Sequence, residues 1–316
     1  MLKKKGVIEF SWIFALIVGA VILFLAFYFI GTKFTEKNVL GGIQTEQSLD
    51  IIFNPFSSFG SLGATSSKTN ELKRSENLSF SCDYNNLGYN SILVYTEAVS
   101  PPRKVYDKYL FTENLTHGRN FQIISKPFVM PWRVADLIYF FSKDDTYCFV
   151  NFPNMKEEFG DSITGLNISN FKFTLSGSCP AESIKVCNCN GCGSQSSGCD
   201  MTVDYSQNVV IKNSGRSFFV DDATMYAAMF SDPVIYNCNL KRLAKRIDSQ
   251  IDVYMGKASA LSSRCGASFN LASLRIAAEG LYDARNPGET KNGLNDLKGS
   301  ADLLKNQNMG AECKLF

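Results

Sequence analysis

The thiols are the first place to look for chemistry in this chain. Cys187, Cys189, Cys192 and Cys199 follow one another at gaps of one, two and six residues. Thiolates that close can wrap a zinc ion, which takes four sulfur or nitrogen ligands. The gaps match no standard zinc-ribbon or finger pattern, so a disulfide-knotted loop is the first reading and a metal site the second. All ten cysteines lie between Cys82 and Cys313. An even number confined to one part of a chain points to disulfides made in an oxidising compartment. Cys189-Asn-Gly-Cys192 has the letters of a redox motif, but no βαβ pattern follows it, so a redox role of the usual helical kind is not expected.

Other reactive groups are sparse. His117 is the single histidine, and Gly118 beside it predicts a turn. This argues against Ser-His-Asp and Cys-His hydrolases unless His117 itself is the base. Carboxylates pair in sequence at Asp144-Asp145, Glu157-Glu158 and Asp221-Asp222. Neighbours on a strand face opposite ways, so turn and cap roles are expected before paired acid-base catalysis. No P-loop, G-x-S-x-G, H-E-x-x-H or EF-hand loop occurs, and no cofactor is implied. A net charge of +2 gives no case for nucleic acid. Lys241-Arg242 and Lys245-Arg246 form a basic stripe, read as a solvated helix face. Three sequons, at Asn77, Asn114 and Asn167, mark candidate glycosylation sites.

These groups must be positioned by two kinds of element. Short β-branched and aromatic runs fill residues 77–230, among them 91–96, 121–124, 135–141, 147–150, 167–175, 200–204, 209–211 and 217–220. The thiol-rich loop is expected at a hairpin tip between Ile184–Val186 and Met201–Val203. From about Pro233 the apolar period becomes helical: Leu240, Leu243, Ala244, Ile247, Ile251, Tyr254, Ala258 and Leu261 share one face. Asp232-Pro233 starts that helix. A second helix carries Leu271 to Leu281, capped by Ser268. A third carries Leu294 to Leu304, and 231–316 form a helical hairpin plus a return helix. In an up-down-up arrangement Cys265 and Cys313 meet at one end, within disulfide reach. Cys238, at the other end, bonds into the β-rich part. The fold class is therefore α+β.

Ahead of this body, Phe10–Ile30 holds 21 residues without a charge. At about 1.5 Å per residue a helix of that length spans roughly 30 Å, the hydrocarbon thickness of a bilayer. Lys3, Lys4 and Lys5 precede it, so the positive-inside rule places residues 1–9 in the cytoplasm. The expectation is an uncleaved single-pass anchor in the cell membrane at 10–30, a connector at 31–76 with a short helix over 44–53, and an extracellular C-terminal body. Lys3-Lys4-Lys5-Gly6 followed by Val7, Ile8, Glu9 and Phe10 resembles the leader of archaeal type IV pilin-like proteins, which implies cleavage after Gly6. Glu9 stands third after that point. The layout beyond the leader, with Lys126-Pro-Phe to Ile138-Tyr-Phe-Phe-Ser142, is similar to that of uncharacterised archaeal membrane-anchored proteins, and this implies no activity. The functional reading is a cell-surface structural or binding protein that presents its body to an envelope or protein partner. Alternatives are a pilin-like filament subunit and an extracytoplasmic hydrolase working through paired carboxylates.

Overall fold

The computed structural model describes residues 14, 17–25, 27–28, 65–95, 102–160, 165–175 and 177–316. The segment expected in the cytoplasm, the position after Gly6, most of the expected connector and the helix expected over 44–53 lie outside these residues. Within the apolar run, the described residues are helical. No helix among the described residues is long and apolar enough to cross a membrane.

The architecture is α+β: two six-stranded sheets, a helix wedged between them, and a C-terminal helical unit. The first sheet contains β1 (Ser66–Asp83), β2 (Tyr89–Tyr95), β3 (Arg103–Val105), β4 (Tyr109–Phe111), β5 (Leu115–Val129) and β6 (Arg133–Ser142), in the order β3-β2-β1-β5-β6-β4. A flat sheet would hold β3 and β4 about 24 Å apart, at about 4.8 Å per strand. The chain from Val105 to Tyr109 can span only about 15 Å. The sheet therefore has to roll up until its edges approach. Its inside is a core that draws on every strand, including Phe80, Ile92, Val105, Leu110, Ile123 and Phe140.

The β-rich body thus begins at Ser66, inside the stretch read as connector. That stretch has no apolar alternation. It becomes a strand because its backbone pairs with β5, Ser66 opposite Ser125 and Asn70 opposite Phe121.

The second sheet holds β7 (Tyr147–Val150), β8 (Phe171–Thr174), β9 (Ile184–Cys189), β10 (Met201–Asp204), β11 (Val209–Lys212) and β12 (Gly215–Phe218), in the order β12-β11-β10-β9-β7-β8. Helix α1 (Pro153–Phe159) makes the crossover from β7 to the parallel β8. The expected hairpin around the thiol-rich loop is not formed. β9 and β10 run parallel, with Val186 opposite Met201. Parallel pairing obliges residues 190–200 to carry the chain back along the whole strand, a return that needs about a dozen residues.

Helix α2 (Asp222–Phe230) fills the space between the sheets, and eight of its nine residues are buried. Phe230 stacks on Phe141 of the first sheet at 4.6 Å and on Phe171 of the second at 5.7 Å between ring centres. Sequence periodicity gives no sign of this helix, because a helix buried all round has no polar face.

The helical unit contains α3 (Pro233–Cys265), α4 (Leu271–Asp283) and α5 (Pro287–Gly310). Asp232 caps α3 by accepting from the Val234 amide at 2.8 Å. Asn270, rather than Ser268, caps α4 by accepting from Ser273. Gly266 closes α3 in the left-handed conformation, φ +63°, which glycine adopts without strain. All ten cysteines are bonded, in five pairs. Cys265 is bonded to Cys313, and Cys238 joins α3 to Cys82 at the end of β1.

Candidate functional site

The rolled sheet is closed along its open seam by side chains of α3. Ile235, Asn239 and Arg242 recur at i, i+4 and i+7, one stripe of the helix. Ile235 enters the core of the roll. Asn239 exchanges amide hydrogen bonds with Asn90 of β2, at 3.1 and 3.2 Å, and donates to the Leu110 carbonyl of β4 at 2.7 Å. Asn90 also donates to the Lys108 carbonyl at 2.9 Å.

Arg242 has no exposed surface. Its guanidinium donates to the carbonyls of Leu87, Lys108 and Gly88 at 3.0, 2.8 and 3.4 Å, and to Asn239 Oδ1 at 2.8 Å. The Tyr109 ring lies 4.9 Å away. Burial pushes the Arg242 pKa down, and Tyr109, Asp107 and Asp83 act against that. The guanidinium stays charged at any working pH. The stripe read as a solvated basic face is thus divided. Arg242 is internal, Arg246 donates to the Val134 carbonyl, Lys245 pairs with Asp248, and Lys241 lies over the Tyr84 ring. Placing Asn239 and Arg242 on the Ile235 stripe was the sequence signal that could have exposed this network.

Beside the seam the surface is rich in tyrosine. Tyr84 packs edge-on against Tyr282 of α4, and Tyr89 packs against Tyr106 under the Lys104 ammonium. The strand register makes these neighbours, since Asp83 faces Tyr89 and Asn90 faces Val105. Tyr84 and Tyr106 are 42% and 58% exposed, large for rings that a core would claim. Tyr282 also borders a cleft of about 130 Å³ between α3 and α4, lined by Lys245, Asp248, Glu279 and Asp283. Pockets for small-molecule substrates run to about 300–1,000 Å³. A notch of this size has room for about one side chain, and one of its three carboxylates, Asp248, is already paired with Lys245 and Arg275.

His117 lies within β5, opposite Asn77 of β1, rather than in the predicted turn, and meets two further groups. Its Nδ1 lies 2.7 Å from Asn77 Oδ1 and its Nε2 lies 3.1 Å from Ser75 Oγ. With the ring proton on Nδ1, that is the polarity of a nucleophile, base and orienter. An irregular stretch of β1 between Glu71 and Glu76 brings Ser75 to the ring. All three residues are exposed on the strand face. Ser75 carried no sequence signal for this contact.

The paired carboxylates take separate structural roles. Asp221 accepts from the Thr224 amide as the cap of α2, while Asp222 is exposed. Glu158 accepts from Tyr226 and pairs with Lys126, while Glu157 is exposed. Asp144 and Asp145 occupy the exposed turn from β6 to β7. Asn77, Asn114 and Asn167 are all exposed. The four thiols of the dense run form Cys187–Cys199 and Cys189–Cys192. Among the described residues no cluster of His, Cys, Asp and Glu could hold a metal. Comparison with protein-family models, curated proteins and solved structures finds no match to this chain.

Proposed function

We propose that the chain is a single-pass cell-surface protein, anchored by Phe10–Ile30, whose disulfide-stapled body binds an envelope or protein partner. One observation carries the anchoring: the described helical residues of the run turn large apolar side chains outward. Phe14, Phe24 and Phe27 are 65%, 69% and 71% exposed. Such surface is costly in water, at about 25 cal/mol per Å², and costs nothing against lipid tails. Five disulfides and three exposed sequon asparagines favour an extracellular body. The tyrosine rim and its acidic notch are the surface best suited to a partner, since exposed Tyr is enriched at binding surfaces.

Alkaline carbonate extraction tests the anchor. The protein should stay with the membrane, and the Leu23→Arg/Leu25→Arg variant should be released, because charge at mid-bilayer is costly. Release of the unmodified chain would exclude the anchor. Intact mass of the membrane form separates the filament reading, which requires a mature product that begins at Val7.

A further inference from the structure

The five disulfides are not equivalent. Four close chain separations of 12, 31, 48 and 156 residues, while Cys189–Cys192 closes only three. The loop-closure entropy removed by a cross-link grows with the length of the loop, so this shortest loop constrains the unfolded chain least. It is also the most accessible. Cys192 is the one cysteine of the ten that is exposed, and the other nine are buried or half-buried.

The loop that carries the pair is held by groups other than the bond. The Asp204 carboxylate accepts from the amides of Gly191 and Gly193, at 3.0 and 3.4 Å, on either side of Cys192. Arg216 donates to the Gly193 carbonyl at 2.8 Å. Cys187–Cys199 closes the base of the same loop. The turn Cys189-Asn-Gly-Cys192 therefore keeps its shape whether or not its sulfurs are joined, and an opened pair stays poised to close.

We propose that Cys189–Cys192 is a reversible dithiol–disulfide site that takes two electrons from thiols approaching the open face of this loop. A thiolate attacks the exposed Cys192 sulfur, forming a mixed disulfide and releasing Cys189 as thiolate, which takes up a proton. A second thiol then attacks the partner's sulfur in that mixed disulfide. Cys192 leaves as thiolate and is protonated, and the two attacking thiols leave joined as a disulfide. Two thiols are oxidised and one disulfide is reduced, so electrons and protons balance.

The test is graded reduction of the full chain in mild detergent with reduced glutathione, then alkylation and peptide mass spectrometry. Cys189 and Cys192 should be alkylated at about tenfold lower glutathione than any other pair. When the reductant is replaced by oxidised glutathione before alkylation, they should rejoin each other, with reduced glutathione as the other product. Opening of Cys187–Cys199 or another pair first, or together with this one, overturns the proposal. So does reclosure to scrambled partners. The Cys189→Ser variant, given oxidised glutathione, should carry one glutathione on Cys192. A Cys192 that takes up none contradicts the attack step. The unmodified chain decides the matter by itself where that variant does not fold.

Discussion

The guanidinium of Arg242, on α3, donates at 2.8 Å to the backbone carbonyl of Lys108, in the link between the two edge strands of the rolled sheet. An element distant in sequence thus supplies the hydrogen bonds that a closing ladder would have made. The arrangement explains why a charged residue is fully buried with carbonyls rather than a carboxylate at hydrogen-bond distance. Orphaned carbonyls at a buried seam would be costly, and a guanidinium has enough donors to serve several at once.

Removing those donors should be expensive. Arg242→Met keeps the packing volume but takes the donor from the Leu87 and Gly88 carbonyls and leaves the Lys108 carbonyl and Asn239 Oδ1 with Asn90 alone, at an expected cost of about 3–5 kcal/mol. Arg242→Lys should recover less than half of it, because an ammonium cannot reproduce the fork. Denaturant unfolding of the two variants measures both quantities. A cost below about 1 kcal/mol for Arg242→Met would mean that the seam is held by apolar packing alone.

The disulfides should differ in effect by loop length. Chain-entropy arithmetic gives about 5 kcal/mol for Cys82–Cys238 and about 4 kcal/mol for Cys265–Cys313 as upper values. Their removal should also act in different places. The Cys82→Ser/Cys238→Ser variant should expose the β1–β2 turn to protease, while Cys265→Ser/Cys313→Ser should loosen only α3 beyond Ile251 and the chain end. Limited proteolysis with peptide mapping distinguishes the two.

Asp204 gives the body a pH dependence with a defined sign. Its desolvation alone would raise the carboxyl pKa. Donors from Gly191, Ser206, Gly193 and Gln207 outweigh that and hold it at about 2, below its ordinary 3.8. A depressed carboxyl pKa contributes stability above the unfolded value, and that contribution is lost as pH falls through the folded one. Unfolding midpoints should therefore drop between about pH 4 and pH 2, and Asp204→Asn should flatten part of that drop. Unchanged acid sensitivity in the variant would assign the effect to other carboxylates.

Ser75, His117 and Asn77 offer the cleanest check on enzymatic activity. The trio stands on an exposed strand face and away from the α3–α4 cleft, so Ser75 should not behave as an activated nucleophile. A fluorophosphonate probe should leave it unlabelled at neutral pH, in the unmodified chain and in His117→Ala alike. Labelling of Ser75 that disappears in His117→Ala would instead establish a serine hydrolase.

The sequence carried the helical unit well, because Leu240, Leu243, Ala244, Ile247 and Ile251 are amphipathic and Asp232-Pro233 is a strong start. It carried the strand content of the body but not its topology. Local pattern cannot distinguish a parallel β9–β10 pair from a hairpin, since both read as two short apolar runs. Polar β1 from Ser66 to Asn70 was invisible because backbone pairing, not side-chain burial, makes it a strand. Helix α2 was invisible for the opposite reason, being apolar on every side. The tyrosine rim emerges only when the turn after β1, the start of β2, the end of β3 and α4 are brought side by side.

The central claim is topological, that Phe10–Ile30 holds a body lying outside the cell. Protease added to intact cells tests it most directly. Fragments from residues 66–316 should be released into the medium, with the amino-terminal peptide retained in the membrane. A body that resists protease until the cells are lysed would contradict the account.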